Sequence, residues 1–212
     1  MLMNYEEKDI KEIKRHNKLY KAYKNNIIIS DMNLLDKFKY FEDSKLDESK
    51  TLIYEITKQP KHFKRYPRGS IVRVKFGVNI GSEFSGDHFA IVISKKDTMM
   101  SSTLHVIPIT SKKHLKNIYI GNILYSQEQI DLLEKKLLDD LDDKKKKQII
   151  SSLNYYKKRK DLDSYACIDH IKTISKISIC KLINEYDYLP NLKVSSELMK
   201  LLDNEIIKEY TI

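Results

Sequence analysis

The fold is decided by the stretch YPRGSIVRVKFGVNIGSEFSGDHFAIVIS, which occupies residues 66–94. Its first part alternates around Val72 and Val74, as a strand with two different faces does. Three glycines then mark a loop over residues 77–87, because glycine tolerates the positive φ angles that turns require. Residues 88–94 are mostly apolar and predict a second, buried strand. The stretch therefore predicts two neighbouring strands joined by a glycine-rich loop.

Further segments of strand character follow. Strands are predicted over residues 103–110, 117–125, 165–168 and 172–179. All five glycines and five of the six valines lie between residues 66 and 121, and valine favours strands. The remaining sequence is rich in Lys, Glu, Leu and Ile at helical spacing. We therefore expect an α+β fold, with helices before, within and after a β module.

The helical sequence falls into three blocks. Residues 1–60 predict two or three helices, with one of them opening at Asp47. A helical hairpin is predicted at about 126–160, where Ser126 and Gln129 resemble a capping box. A terminal helix is predicted near the end of the chain. The predicted organisation is a helical N-terminal extension, residues 1–62, and a β-barrel domain, residues 63–212, that carries the inserted hairpin and the C-terminal helix.

Composition excludes several classes of protein. The 212 residues are 33% charged and 41% hydrophobic, and no apolar run approaches the roughly 20 residues of a membrane span. Cys167 and Cys180 are isolated, so neither a disulfide scaffold nor a four-thiolate zinc site is available. We expect a cytoplasmic protein that does not bind membranes. The net charge of +9, with its excess within residues 1–121, favours a polyanionic partner.

Two strand ends carry the candidate chemistry. His88 begins the second strand and Thr110 ends the third, so the two side chains meet at one end of the sheet if these strands are neighbours. Histidine transfers protons near neutral pH, and hydroxyl groups and lysines stabilise a phosphate. This pair suits attack of an RNA 2′-hydroxyl on the adjacent phosphodiester. A purely structural role for His88 is the alternative.

Four segments resemble the MazF/PemK (Kid-like) toxin family. They are RGSIVRVKF at residues 68–76, IGSEFSG at 80–86 followed by FAIVIS at 89–94, VIPITS at 106–111 and IDHIKTI at 168–174. They occur in the order of the family. The resemblance covers residues 66–120 and 164–210, and residues 1–60 and 126–160 lie outside it.

The resemblance implies a fold and an activity. The fold is a small SH3-like, mainly antiparallel β-barrel that is usually a homodimer. The activity is endoribonucleolytic cleavage of single-stranded RNA without metal or other cofactor, which leaves 2′,3′-cyclic phosphate and 5′-hydroxyl ends. The partners would be mRNA-like single-stranded RNA as the substrate and a cognate antitoxin protein. This chain and the antitoxin would form a toxin-antitoxin system that controls growth.

The resemblance also assigns roles to residues. The catalytic pair of the family is an arginine at the start of the second strand and a threonine or serine after the third. Thr110 matches the second position, whereas His88 stands in place of the arginine. His170 is a possible second acid or base. The candidate substrate-binding residues are Arg73, Lys75, Ser82, Glu83, Ser111, Lys112 and Lys172, the last of which stands where the family commonly has arginine.

The replacement of the catalytic arginine leaves two other functions open. His88 lacks the fixed charge of arginine and its two parallel hydrogen bonds to phosphate, so the alternative is an inactive module of the same fold that binds nucleic acid or a protein. A third interpretation is a structural or regulatory protein whose helical extension mediates assembly.

Overall fold

The computed structural model describes residues 14–26, 36–58, 62–181, 184, 186 and 192–211. The chain divides into two compact units. The first consists of Met1–Ile53 and Gly77–Gly86, and the second of Tyr54–Phe76 and Asp87–Ile212. The predicted division at residue 62 stays a prediction. No helix among the described residues is long and apolar enough to span a membrane.

The described residues of the first unit are helical apart from the glycine-rich loop. Residues 14–26 are helical and form α1, and a 3-10 turn at Asp36–Tyr40 precedes α2, Phe41–Lys58, whose last turn belongs to the second unit. The loop is closed by a hydrogen bond of 2.7 Å from the Gly86 N–H to the Gly77 carbonyl. Lys37 donates to two further carbonyls of this loop, at 3.0 and 2.7 Å.

The predicted helix start at Asp47 is wrong, because α2 already begins at Phe41 and runs through it. Glu42 and Asp43 lie in the first turn of α2, where negative charge complements the helix dipole. Asp47 lies within the helix instead, and its carbonyl accepts a hydrogen bond from the Thr51 hydroxyl at 2.8 Å. The acidic residue Asp47 therefore lies inside the helix and does not mark its start. The predicted helices within residues 1–13 and 27–35 lie outside the described residues.

The described part of the second unit contains six strands, and all pairings between them are antiparallel. They are β1 (Ile71–Lys75), β2 (Asp87–Val92), β3 (Thr103–Thr110), β4 (Ile118–Gly121), β5 (Ser164–Ala166) and β6 (Lys172–Ser175). Their order is β1-β2-β3-β5-β4, and β6 also pairs with β3. The long strand β3 therefore has different partners at its two ends.

The sheet curls back on its first strand. After β6 a 3-10 turn, Lys176–Ser178, redirects the chain, and Ile179 then forms an isolated bridge with Val74 of β1. The Cys180 N–H donates to the Arg73 carbonyl at 2.8 Å. This return to β1 gives the small barrel-like sheet that the sequence predicts. The predicted α+β, SH3-like and mainly antiparallel fold is confirmed.

Several predicted strands are shorter than expected, and the strand predicted over residues 117–125 covers only Ile118–Gly121. The strand predicted over residues 172–179 ends at Ser175, whose side chain accepts a hydrogen bond of 3.4 Å from the Ile177 N–H and caps the 3-10 turn. The strand predicted over residues 165–168 ends at Ala166, before a second 3-10 turn. Serine side chains that bond to nearby main-chain groups compete with the strand ladder, and apolar alternation alone does not reveal this.

The inserted hairpin and the terminal helix are both present. The hairpin consists of α3 (Gln127–Lys136) and α4 (Asp143–Lys157), and the terminal helix is α5 (Ser196–Tyr210). Asp142 caps α4 by accepting from the Lys145 N–H at 2.8 Å, and Ser195 caps α5 by accepting from the Leu198 N–H at 3.2 Å.

The predicted capping box of α3 is wrong, because neither of its two side chains makes the expected capping hydrogen bond. Ser126 occupies the N-cap position but its hydroxyl makes no capping hydrogen bond. Gln129 is buried, and its amide donates to the Ile123 carbonyl at 3.4 Å instead of reaching back to the cap. Burial of this side chain therefore prevails over the local capping pattern.

The hairpin shares one hydrophobic core with the sheet. Ile91 and Ile107 from the strands belong to the same buried cluster as Leu133 of α3 and Ile149 of α4. All four side chains are fully buried. The insertion is therefore part of the folded core of the second unit and holds its own residues at fixed positions beside the sheet.

We expect Ile149→Val to lower the free energy of unfolding by about 0.5–1.5 kcal/mol, because it removes one buried methyl group from this core. Ile150→Val is the matched control, since Ile150 is the next residue of α4 and is 46% exposed whereas Ile149 is 0% exposed. Urea unfolding of both variants measures the difference. An equal loss in the two variants would contradict the shared core.

Candidate active site

A cavity of about 220 Å³ lies where β1, β2 and β3 meet the inserted hairpin. Four predicted site residues line it, namely Arg73, His88, Thr110 and Ser111. The rest of the lining is aromatic, apolar or polar and comes largely from the insertion and its flanks: Asp87, Phe89, Ile109, Leu124, Tyr125, Tyr155, Arg159, Leu162, Asp163 and Ser164.

The pairing of β2 with β3 brings His88 and Thr110 to this cavity. Ala90 pairs with Pro108 in the antiparallel register, and His88 and Thr110 each lie two residues further toward the same end of the sheet. Because side chains alternate along a strand, a step of two residues keeps both on the same face as that pair. The predicted neighbourhood of the second and third strands is therefore present, and the roles of the two residues stay predictions.

The Thr110 hydroxyl is oriented by the main chain that follows it. It accepts a hydrogen bond of 3.2 Å from the Lys112 N–H, while the Lys112 carbonyl accepts from the Asn117 side-chain amide at 3.2 Å. A hydroxyl has one donor and two acceptor lone pairs. Thr110 therefore keeps its own proton for donation to an oxygen in the cavity, and Ser111 adds a second hydroxyl.

Arg73 and Asp87 form an ion pair at the edge of the cavity. Their nitrogen and oxygen atoms are 3.3 Å apart. The pair is a diagonal one across β1 and β2, because Arg73 lies opposite Phe89 and Asp87 lies opposite Lys75. The positive charge of Arg73 is thus balanced by a neighbouring carboxylate before any ligand binds.

Aromatic rings that contact one another edge-on form one wall of the cavity. The ring of Tyr125 makes edge-on contacts with Phe89, Tyr155 and Tyr156 at centroid distances of 6.2, 5.9 and 5.8 Å. The Tyr125 and Tyr155 hydroxyls are 3.4 Å apart. Burial, with a smaller contribution from this hydrogen bond, raises the pKa of Tyr125 far above its usual value. Tyr125 is therefore a neutral hydroxyl at physiological pH and not a base.

Arg159 and Asp163 are cavity residues that the sequence analysis missed. Both follow α4, and Arg159 has its guanidinium carbon 3.9 Å from the centroid of the Tyr155 ring. Asp163 accepts hydrogen bonds from the Tyr119 and Tyr165 hydroxyls at 3.3 and 3.5 Å. Tyr155 and Arg159 are four residues apart, and side chains at this spacing are neighbours on a helix. This spacing could have indicated the contact between Arg159 and Tyr155.

Several predicted substrate-binding residues do not line the cavity. Lys75 ends β1, Lys172 begins β6, and Lys112 lies in the turn after β3. His170 lies in a 3-10 turn, with its ring nitrogen 3.8 Å from an Asp169 oxygen, and is also outside the lining. Ser82 and Glu83 belong to the other compact unit. Roles for these six residues stay predictions.

The second unit is thus an α+β protein in which a small antiparallel sheet presents a histidine, two hydroxyls and guanidinium groups in one cavity. The chain belongs to the PemK-like, MazF-like toxins of type II toxin-antitoxin systems, because the model of that family matches residues 67–208. The family that the four sequence segments indicated is therefore confirmed.

The crystal structure of MazF (Form-I) from Deinococcus radiodurans is similar to this chain, with 10% sequence identity and a TM-score of 0.40. The similarity covers 70% of this chain and 99% of that chain. A search of curated proteins returned no match.

Proposed function

We propose that this protein is a cytoplasmic toxin that cleaves single-stranded RNA without a metal ion. In the proposed reaction an RNA 2′-hydroxyl attacks the adjacent phosphodiester and leaves 2′,3′-cyclic phosphate and 5′-hydroxyl ends. A cognate antitoxin protein restrains it, and the active form is a homodimer. The observation that carries the proposal is the cavity lined by both His88 and Thr110 in a chain of this family.

The proposed chemistry needs three groups. The 2′-oxygen loses its proton and bonds to phosphorus, while the bond from phosphorus to the 5′-oxygen breaks and that oxygen takes up a proton. His88 performs one of these two proton transfers, because imidazole accepts and donates protons near neutral pH, and solvent water performs the other. The Thr110 hydroxyl donates to a non-bridging oxygen, where negative charge grows in the transition state. Ser111 lies beside it in the same cavity.

The test is incubation of the purified protein with long single-stranded RNA in EDTA, followed by mapping of the ends. Cuts with 5′-hydroxyl ends that disappear in Thr110→Val support the proposal, since valine keeps the shape of threonine and removes the donor. A protein that binds RNA in a salt-dependent manner and never cuts it would be the inactive binding module. A protein that neither binds nor cuts would point to a structural role.

A further inference from the structure

We infer that Arg159, which the inserted hairpin holds in the cavity, binds a phosphate of the RNA backbone. The inference rests on the proposed function, because it names how that same cavity holds its substrate. Arg159 is the second residue after the end of α4. It lies within the 126–160 insertion and outside the four sequence segments that carried the family resemblance. The insertion would thus supply a positive charge to the site.

The charge balance of the cavity singles out Arg159. Arg73 is paired with Asp87 at 3.3 Å. Among the residues that the structure describes, no carboxylate forms an ion pair with Arg159. Asp163 lines the same cavity, but its oxygens accept hydrogen bonds from two tyrosine hydroxyls. Arg159 therefore keeps a charge that an anionic ligand can neutralise.

The hydrogen-bond donors of Arg159 lead to the same conclusion. A guanidinium group has five N–H donors. One of them donates to the Tyr155 carbonyl at 3.3 Å, and this bond ties the side chain to its own helix. No described residue accepts a hydrogen bond from the other four N–H donors. These donors therefore remain for a ligand that only accepts hydrogen bonds. Phosphate oxygens only accept hydrogen bonds, and arginine binds phosphate through two parallel N–H···O hydrogen bonds.

The guanidinium is held in place before a ligand binds. It stacks on the Tyr155 ring at 3.9 Å, and that ring makes edge-on contacts with Tyr125 and Tyr156 at 5.9 and 6.0 Å. The helix that carries Tyr155 is anchored in the core through Ile149. Because the side chain is already ordered, binding costs less conformational entropy than it would for a mobile surface lysine.

The cavity offers hydrogen-bond donors on more than one side. Thr110 keeps its hydroxyl proton for donation, and Ser111 contributes a second hydroxyl. Arg159 adds its guanidinium from the insertion. Hydroxyl donors and a guanidinium around one small space suit a tetrahedral anion with several acceptor oxygens.

The test compares Arg159→Gln with Lys158→Gln. Both variants lose one positive charge at adjacent positions, but Lys158 is exposed and does not line the cavity. The probe is a fluorescent single-stranded RNA whose 2′-hydroxyls are methylated, so that it binds and is not cut. We expect Arg159→Gln to weaken its binding by about 10- to 100-fold. The slope of log K against log salt should shrink by about 0.7, the value for one lost phosphate contact on a single strand.

A second variant distinguishes the loss of a phosphate contact from misfolding of the protein. Arg159→Lys keeps the charge and should keep the salt slope of the wild type, while it loses the paired hydrogen bonds and binds more weakly than the wild type. Urea unfolding of each variant checks its stability. If Arg159→Gln and Lys158→Gln bind the probe equally well, the inference is overturned.

The outcomes for the inference and for the proposed function are separable. Wild-type protein that binds the probe through Arg159 but never cleaves RNA supports the inference and contradicts the nuclease. Wild-type protein that cleaves RNA while Arg159→Gln binds and cleaves like Lys158→Gln supports the nuclease and contradicts the inference. Wild-type protein that does not bind the probe contradicts the inference.

Discussion

His88→Ala should lower the rate of RNA cleavage in EDTA by about 10²- to 10⁴-fold, the usual contribution of one general acid or base. The physical reason is that His88 is the histidine of the cavity, where it lines the same space as Thr110. Without it, water must exchange the proton of the 2′-hydroxyl or of the leaving oxygen. Single-turnover cleavage of a short RNA with one cut site measures the loss of the chemical step directly.

The matched control is His114→Ala. His114 is exposed and does not line the cavity, so its removal should leave the cleavage rate at the wild-type value. Binding of the methylated RNA probe should change much less in His88→Ala than the rate does. Equal rates for His88→Ala and His114→Ala would contradict the role of His88, and His170→Ala would then be the next variant to measure.

Asp97→Asn should destabilise the second unit by about 3–5 kcal/mol, the usual cost of removing one partner from a buried ion pair. Asp97 and Lys176 have side chains that are each 2% exposed and lie 2.7 Å apart. The other oxygen of Asp97 accepts a hydrogen bond from the Tyr66 N–H at 2.8 Å. Asparagine is nearly the same size and can still accept that bond, so the main loss is the charge that balances Lys176.

The surroundings of Lys176 explain why the loss is large. Its ammonium group also donates to the Lys64 and Thr98 carbonyls at 3.1 and 3.0 Å, so one buried group joins the chain before β1, the turn before β3 and the turn after β6. Carbonyl groups carry only partial charge. They cannot replace the carboxylate, and in Asp97→Asn the ammonium group stays buried without a counterion.

Urea unfolding, read by circular dichroism, measures this loss. Asp139→Asn is the control, because Asp139 is exposed and its change should stay within about 0.5 kcal/mol. The double variant Asp97→Asn with Lys176→Met removes the uncompensated charge and should regain most of the stability, since neutral replacements of buried pairs are often tolerated. A double variant no more stable than Asp97→Asn alone would contradict the electrostatic explanation.

Most of the sheet could be predicted from the sequence because its strands obey a simple rule. Buried alternation around Val74 and the apolar run around Ile91 each reflect a strand that buries one or both faces. The predicted ends of the strands were less accurate. The strand predicted over residues 172–179, for example, ends at Ser175, whose side chain caps a 3-10 turn. Such endings depend on a single side-chain hydrogen bond, and the hydrophobic pattern does not record it.

The site was predictable only in part. The sequence predicts that His88 and Thr110 share one end of the sheet, and the strand register places both there, while their roles stay predictions. Arg159 was missed because nothing near it in sequence marks it as a site residue, and it reaches the cavity only when the hairpin folds onto the sheet. Conversely, Lys112 and Lys172 were expected in the site by their charge, and the structure places both outside the cavity lining.

The sequence by itself determined the strands, the inserted hairpin, the terminal helix and the family, because each of these depends on periodicity or on short motifs that neighbouring residues carry. Only the tertiary structure decided which charges share a space. It paired Arg73 with Asp87, buried Asp97 against Lys176, and left Arg159 in the cavity without an ion-pair partner among the described residues. Electrostatic interaction depends on distance and burial, and residues far apart in the chain acquire both only when the core assembles.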